Sequence, residues 1–279
     1  MSTAQLDGLA TGGHATGLGT TTRSDRWWAT PLLQGVAFAV ILTYATWAAY
    51  QNQYYYSAPY LSPLYAPVLF TDSSQTAAAP LDHAWFGEKP TWWPGFLPFS
   101  PAFLILPLPG SFRLTCYYYR KFYYRSYFLR PPACAVGASL PGKYRGETGL
   151  LIFQNLHRYT LYIALAFLPI LYYDAFLALF KDGQFGVGVG TLMLFGNATL
   201  LAGYTFGCHS WRHLIGGRKD CFSCDAGART SYGLWKRSSW FNARHQLFAW
   251  TSLFWVAAAD LYIRLVAMGK ITDLNTWGS

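Results

Sequence analysis

The segment PLLQGVAFAVILTYATWAAY, from Pro31 to Tyr50, decides the fold class, because it contains no charged residue. A helix of about 20 mostly apolar residues is long enough to span the hydrocarbon core of a bilayer. The chain has 279 residues, of which 53% are hydrophobic and 12% are charged, whereas soluble domains have about 25% charged residues. The sequence therefore predicts an all-α integral membrane protein.

Apolar segments predict a bundle of about five transmembrane helices. The predicted spans are 31–50, 101–128, 153–180, 188–214 and 241–268. The stretch Pro107-Leu-Pro-Gly110 should distort the second span, because proline interrupts helical hydrogen bonding. Residues 1–25 lack an apolar core and are expected to be a disordered cytoplasmic tail, so residues 26–279 form the membrane domain. A polar loop over 216–240 is expected between the last two spans.

The basic residues are sorted to one side of this map. Of the 21 Lys and Arg residues, 17 precede the first span or lie in or beside the loops that follow the second and fourth spans. The four exceptions are Lys89, Lys181, Arg264 and Lys270. Cytoplasmic loops of membrane proteins carry an excess of Lys and Arg. The N-terminus is therefore predicted in the cytoplasm and the C-terminus outside. This topology accounts for the net charge of +9 without a nucleic-acid partner and predicts a multi-pass protein of the cell membrane.

A cluster of potential metal ligands follows the fourth span. Cys208, His209, His213, Cys221 and Cys224 occur within 17 residues. His209 and His213 share a helix face, and Cys-x-x-Cys can bring two thiolates close together. Two His and two Cys ligate a Rieske-type [2Fe-2S] cluster, and Cys208 is a spare thiol. Structural zinc fits the same donor types, and in a third interpretation His157 with His209 or His213 holds b-haem. Without a metal, these are interfacial imidazoles and reduced thiols.

Residues near the predicted cytoplasmic interface have the chemistry of a quinone site. Tyr119, Arg120, Tyr124, His157 and His245 can donate hydrogen bonds to quinone carbonyls beside apolar walls. Two carboxylates, Asp174 and Asp260, fall within predicted spans, where ionisable residues are candidates for function. Both are near the outer end, so snorkelling to water is the simpler expectation. Asp260 can also pair with Arg264 at i, i+4 spacing.

Several of these features together resemble one family. The five-span layout, the long aromatic loop after the first span, the tract CYYYRKFYYR from Cys116 to Arg125 and the Cys-His-x₃-His…Cys-x₂-Cys segment are similar to the membrane anchor subunit of actinobacterial succinate dehydrogenase with a single fused anchor chain. The resemblance implies flavoprotein and iron–sulfur subunits docked on the cytoplasmic face, sometimes in a higher oligomer. It also implies a role in the respiratory chain and tricarboxylic acid cycle. The chain would be an enzyme only within this succinate:quinone oxidoreductase.

The resemblance also bears on cofactors. It implies electron delivery to menaquinone or ubiquinone. Better-known anchors of the wider family hold b-haem with His inside their spans, whereas here the His residues crowd the helix ends beside cysteines. A Rieske-type [2Fe-2S] cluster is therefore expected rather than haem b.

Two other functional classes remain open from the residues alone. A transporter is one, for which the broken helix at Pro107–Gly110 is the favouring feature. A zinc-stabilised assembly protein is the other. Iron with acid-labile sulfide would indicate the electron-transfer anchor, zinc the assembly protein, and no metal the transporter.

Overall fold

The computed structural model describes residues 17–139, 149–217 and 219–277, of which 149–152 are described by their backbone alone. The described residues are mostly helical, with a long irregular loop after the first helix and two short antiparallel hairpins. Its elements in order are α1 (Ala29–Gln51), β1 (Tyr56–Ser57), β2 (Tyr60–Leu61), a 3₁₀ helix (Leu81–His83), α2 (Pro101–Ile105), α3 (Pro107–Leu114), α4 (Tyr117–Ser126), a 3₁₀ helix (Gly149–Leu156), α5 (His157–Leu177), β3 (Phe180–Lys181), β4 (Gln184–Phe185), α6 (Val189–Phe206), α7 (His209–Gly216), α8 (Ala226–Ala243) and α9 (His245–Ala267).

In the part of the chain that the structure describes, four helical segments are long and apolar enough to cross a membrane: Ala29–Gln51, Phe153–Leu177, Val189–Phe206 and His245–Ala267. They coincide with four of the predicted spans, and the helical membrane fold is confirmed. The chain forms two compact units. The first comprises Met1–Val40 and Leu114–Leu156, and the second comprises Ile41–Arg113 and His157–Ser279.

The first unit contains the described part of the predicted tail. Gly19 donates its backbone N–H to Gly137, and Gly137 donates to Thr20. The Arg23 guanidinium donates to the carbonyl of Cys134 at 2.8 Å. Gly19, Thr20 and Arg23 therefore have defined partners, which differs from the disorder predicted for this part; residues 1–16 lie outside the described residues. In the same unit α4 packs on α1, with the Phe38 ring 5.2 Å from that of Phe122.

The second predicted span, 101–128, is not one helix but three, α2, α3 and α4. The prolines explain the first break, because α3 starts afresh with Pro107, whose missing N–H costs nothing in a first turn. The backbone of Cys116 is extended, which separates α3 from α4. Arg120, Lys121 and Arg125 make α4 too polar to enter hydrocarbon.

The segment formed by α2 and α3 contacts two long helices of the second unit. Phe103 contacts Tyr50 near the end of α1, with ring centroids 4.8 Å apart. The ends of α1 and α9 lie together, because Arg264 donates to the carbonyl of Gln53 at 2.7 Å. At the other end of the segment, Arg113 reaches the first half of α9 at Ala249. This broken segment therefore contacts α1 at one end and the first half of α9 at the other.

The fourth predicted span, 188–214, also divides into two helices. The chain leaves α6 at Gly207, where a Cβ would lie 3.0 Å from the carbonyl of Phe241. Cys208 is extended and caps α7, its Sγ accepting the N–H of Ser210 at 3.3 Å. The predicted loop 216–240 is mostly the helix α8. Asp225 begins it by accepting the N–H of Ala228 at 2.7 Å, a favourable N-cap.

A buried polar cluster joins the helix ends of the second unit to the aromatic loop that follows α1. Asp260 accepts hydrogen bonds from Tyr44 at 2.5 Å, from Ser62 and from Arg264 at 3.3 Å. Asp260 is 0% exposed and Arg264 is 1% exposed. The i, i+4 pair predicted from the sequence is confirmed. The expectation that Asp260 snorkels to water was wrong, because the loop supplies a hydroxyl and covers the carboxylate.

Candidate functional site

A thiol–imidazole pair is buried in the second unit where three long helices begin or end. The Nε2 atom of His157 lies 2.9 Å from the Sγ atom of Cys208. Their exposed fractions are 2% and 1%. His157 is the first residue of α5, and Cys208 follows the end of α6. The Gly207 break turns the chain here, which places the Cys208 thiol inside the bundle.

A stack of rings extends this pair towards the start of α9. The His157 ring is parallel to that of Phe112, with centroids 4.6 Å apart. Phe112 meets Tyr204 edge-on at 5.5 Å. Tyr204 in turn stacks on His245 at 4.9 Å. Ring-to-ring contacts therefore connect the two imidazoles through Phe112 and Tyr204.

Arg113 places a fixed positive charge on this stack. Its guanidinium carbon lies 4.8 Å from the centre of the Tyr204 ring. Two hydrogen bonds orient it, one to the carbonyl of Ala249 at 3.1 Å and one to the hydroxyl of Ser252 at 2.8 Å. A guanidinium held in this way stabilises negative charge beside it. We call these six residues the His–Cys cluster: Phe112, Arg113, His157, Tyr204, Cys208 and His245.

The predicted metal ligands are not assembled as expected. Cys221 and Cys224 are bonded to each other in a disulfide, and Cys208 pairs with His157 instead. His209 and His213 are exposed on α7. Within 17–139, 149–217 and 219–277, no three His, Cys, Asp or Glu side chains are close enough together to hold a metal ion. The donor set Cys208, His209, His213, Cys221 and Cys224 therefore does not fit an iron–sulfur cluster at this place. The reason is that Cys208 faces the bundle interior while α7 carries both imidazoles outwards.

The predicted quinone residues are divided between the two units. His157 and His245 are both in the His–Cys cluster of the second unit. Tyr119, Arg120 and Tyr124 lie on α4 in the first unit. Tyr119 is fully buried there against Phe38, with ring centroids 6.0 Å apart. The guanidinium of Arg120 lies 5.7 Å from the Tyr117 ring.

Three members of the His–Cys cluster escaped the sequence analysis. Phe112 and Tyr204 are aromatic residues within apolar runs, and nothing in their spacing sets them apart. Arg113 was counted among the basic residues that indicate topology and was not chosen as a site residue. Its position offered a clue, because it is the first charge after twenty-three uncharged residues, from Lys89 onwards, and a charge inside an apolar segment needs a partner.

The chain matches a family model along most of its length. The model for the actinobacterial succinate dehydrogenase subunit SdhC covers residues 29–269. The chain belongs to this SdhC family. The resemblance inferred from the sequence is thereby confirmed, and the protein is a membrane anchor subunit that works with other succinate dehydrogenase subunits in the cell membrane.

A solved structure supports the same assignment. The chain is similar to one from the Mycobacterium smegmatis Sdh1 complex in the apo form, with 42% sequence identity and a TM-score of 0.81. The similarity covers 92% of this chain and 94% of that one. Among curated proteins, none matches the chain.

Proposed function

We propose that this SdhC-family chain passes electrons from an iron–sulfur subunit, docked beside a flavoprotein subunit on the cytoplasmic face, to a membrane quinone. The His–Cys cluster would be where this happens. The observation that carries the proposal is the buried contact of 2.9 Å between His157 and Cys208. Imidazoles removed from water within a membrane unit are costly to bury and are candidates for function.

The cluster has the side chains that quinone reduction requires. Conversion of a quinone to a quinol consumes two electrons and two protons. His157 and His245 are the proton carriers of the cluster, since imidazole is the usual general acid and base near neutral pH. Arg113 would stabilise the negative charge that develops on a quinone oxygen, because its guanidinium is already oriented by Ala249 and Ser252. Phe112 and Tyr204 provide flat apolar walls.

A comparison of two histidines tests this assignment. In the complex containing His157→Gln, we expect succinate oxidation with a soluble artificial acceptor to remain and quinone reduction to fall at least about tenfold, since one proton-carrying side chain is worth about 10²–10⁴ in rate. His209→Gln is the control, because His209 is exposed on α7. Equal quinone activity in the two variants would contradict the proposal.

We propose that the electron carrier of this unit is a Rieske-type [2Fe-2S] group. Residues of the His–Cys cluster would hold it, and Cys221 and Cys224 would not. Such a cluster is held by two imidazoles and two thiolates and supplies one-electron transfer when bound. His157, His245 and Cys208 have the required donor types; His157 and Cys208 are buried, and His245 is partly exposed. These side chains are too far apart to hold a metal ion as they stand, so binding of the group would have to draw them together. Cys116 is the other buried free cysteine among the described residues, and its replacement belongs in the same test.

The metal content of the purified complex tests this cofactor. We expect iron and acid-labile sulfide in excess of what the partner subunits hold, and no Soret band in the optical spectrum. Replacing Cys208 with Ser should remove the excess iron, and the Cys116→Ser variant shows whether that thiol contributes. A Soret band with two axial imidazoles would contradict the assignment and favour haem b held by His157 and His245.

A further inference from the structure

The loop between α7 and α8 carries a pair of cysteines that the proposed electron path does not use. Cys221 and Cys224 are joined in a disulfide, with their Cα atoms 5.9 Å apart. Cys221 is partly exposed and Cys224 is exposed. By contrast, the Cys208 thiol is buried and pairs with His157.

The loop is anchored on both sides of Cys224. Phe222, which follows Cys221, packs on Tyr232 of α8 with ring centroids 5.3 Å apart. Asp225, which follows Cys224, caps α8 through the N–H of Ala228 at 2.7 Å. These anchors hold the two Cα atoms at a separation that a disulfide can bridge without backbone movement. The pair can therefore open and close while the helices stay in place.

The surroundings also favour reaction. The helix α8 begins two residues after Cys224, and a helix N-terminus carries partial positive charge that stabilises a thiolate. Lys219 lies two residues before Cys221 and adds positive charge to the loop. Thiolate is the form that attacks disulfides.

The predicted topology places this loop in the cytoplasm, where structural disulfides are rare and those that form are usually transient. We propose that Cys221 and Cys224 are a reversible thiol–disulfide site that reacts with small-molecule or protein disulfides of the cytoplasm. The site does not depend on the electron path proposed above, so either proposal can fail alone.

The reaction is an exchange in two steps. The thiolate of Cys224, the more exposed of the two, attacks one sulfur of the partner disulfide and releases the other as a thiolate. Cys221 then loses its proton and attacks the mixed disulfide at Cys224, which releases the second partner thiolate. The two cysteines lose two electrons in total, and the partner disulfide gains them.

Thiol trapping in the intact complex tests the proposal. The complex in inside-out membrane vesicles is equilibrated with reduced and oxidised glutathione at a series of ratios and quenched with acid. It is then denatured and labelled with a polyethylene-glycol maleimide that shifts the chain on a gel. We expect two labels to be gained together in reducing buffers and lost together in oxidising buffers, and this change should be reversible.

In Cys221→Ser and Cys224→Ser this coupled change should be absent. Cys134→Ser is the control, because Cys134 is an exposed free cysteine outside the pair, and the coupled change should persist.

Three results would overturn the proposal. The pair could stay oxidised in the most reducing buffer, which would make it a structural disulfide. It could stay reduced in the most oxidising buffer. The two thiols could also titrate independently of each other.

Discussion

Asp260 and Arg264 are two charged residues in α9, a helix that is otherwise mostly apolar. Neither is exposed, and each has partners from the aromatic loop: Ser62 donates to the carboxylate, and Gln53 accepts from the guanidinium. An ion pair buried in this way contributes little net stability, whereas removal of one partner leaves an uncompensated charge. The pair therefore fixes where the loop sits on the helix ends.

A double-mutant comparison tests this reading of Asp260. We expect Asp260→Leu to lower the free energy of unfolding of the anchor by about 3–5 kcal/mol, because Arg264 is left buried without its counter-ion. The double variant with Arg264→Leu should recover part of the loss. The free energy of unfolding is compared by titrating the purified complex with a denaturing detergent or by thermal unfolding. A double variant less stable than the single one would contradict this account.

Arg113 sits at the His–Cys cluster, and its two hydrogen bonds define its orientation. We expect Arg113→Met to reduce quinone turnover about 10- to 100-fold, which corresponds to the loss of one charge-assisted hydrogen bond of about 1.5–3 kcal/mol. Ser252→Ala should cost less, because the contact with Ala249 remains. Activity with a soluble acceptor measures the unaffected partner subunits. If Ser252→Ala were the more damaging change, the role assigned to the guanidinium charge would be wrong.

Single residues also show where sequence reasoning stops. His157 and His245 were predicted as quinone residues because they can donate hydrogen bonds and lie near the predicted cytoplasmic interface. Cys208 was placed among the metal ligands, but its partner was missed. The Cys-x-x-Cys spacing drew attention to Cys221 and Cys224, although such a pair can also bond to itself. No local pattern indicates that a thiol after α6 meets an imidazole 51 residues earlier.

Among the elements, α6 and α9 pack so closely that glycines are required between them. A Cβ at Gly203 would lie 2.5 Å from the ring of Phe248, and one at Gly196 would lie 2.7 Å from the indole of Trp255. Small residues at helix interfaces allow such approach in membranes, where apolar burial alone does not drive association. The same contact keeps Tyr204 and His245 stacked.

Glycine substitutions test this packing. We expect Gly203→Ala to destabilise the anchor by about 1–3 kcal/mol through overpacking, and Phe248→Leu to relieve part of it. Gly233→Ala is the matched control, because it is also helical but has nothing within 4 Å of the added Cβ. That control should be neutral or stabilising by up to about 1 kcal/mol. Thermal unfolding of the complexes compares them, and an equal response of the two alanine variants would refute the close contact.

The elements predicted correctly from the sequence are the long apolar helices, whose length and composition are set by the thickness of the bilayer. The helices α1, α5, α6 and α9 follow from runs of apolar residues of the required length. The helices α3, α4 and α8 were missed or merged, because they are short or polar and depend on tertiary packing and caps. Asp225 capping α8 was a readable signal within a segment interpreted as loop.

For the whole molecule, the unequal placement of Lys and Arg remains the basis for orientation. It predicts that the His–Cys cluster and the Cys221–Cys224 loop lie towards the cytoplasm, near the docked subunits. We expect a membrane-impermeant maleimide to label Cys224 in Cys221→Ser from the cytoplasmic side only. Labelling in intact cells, from outside, would reverse the predicted topology.

In the proposed redox site, Cys208 and not Cys221 supplies the thiolate. Electron paramagnetic resonance of the reduced complex measures this most directly. We expect the wild-type and Cys221→Ser complexes to share a rhombic signal with Rieske g-values, and the Cys208→Ser complex to lack it while signals of the partner subunits remain. An unchanged Rieske signal in Cys208→Ser, or its loss in Cys221→Ser alone, would contradict the claim.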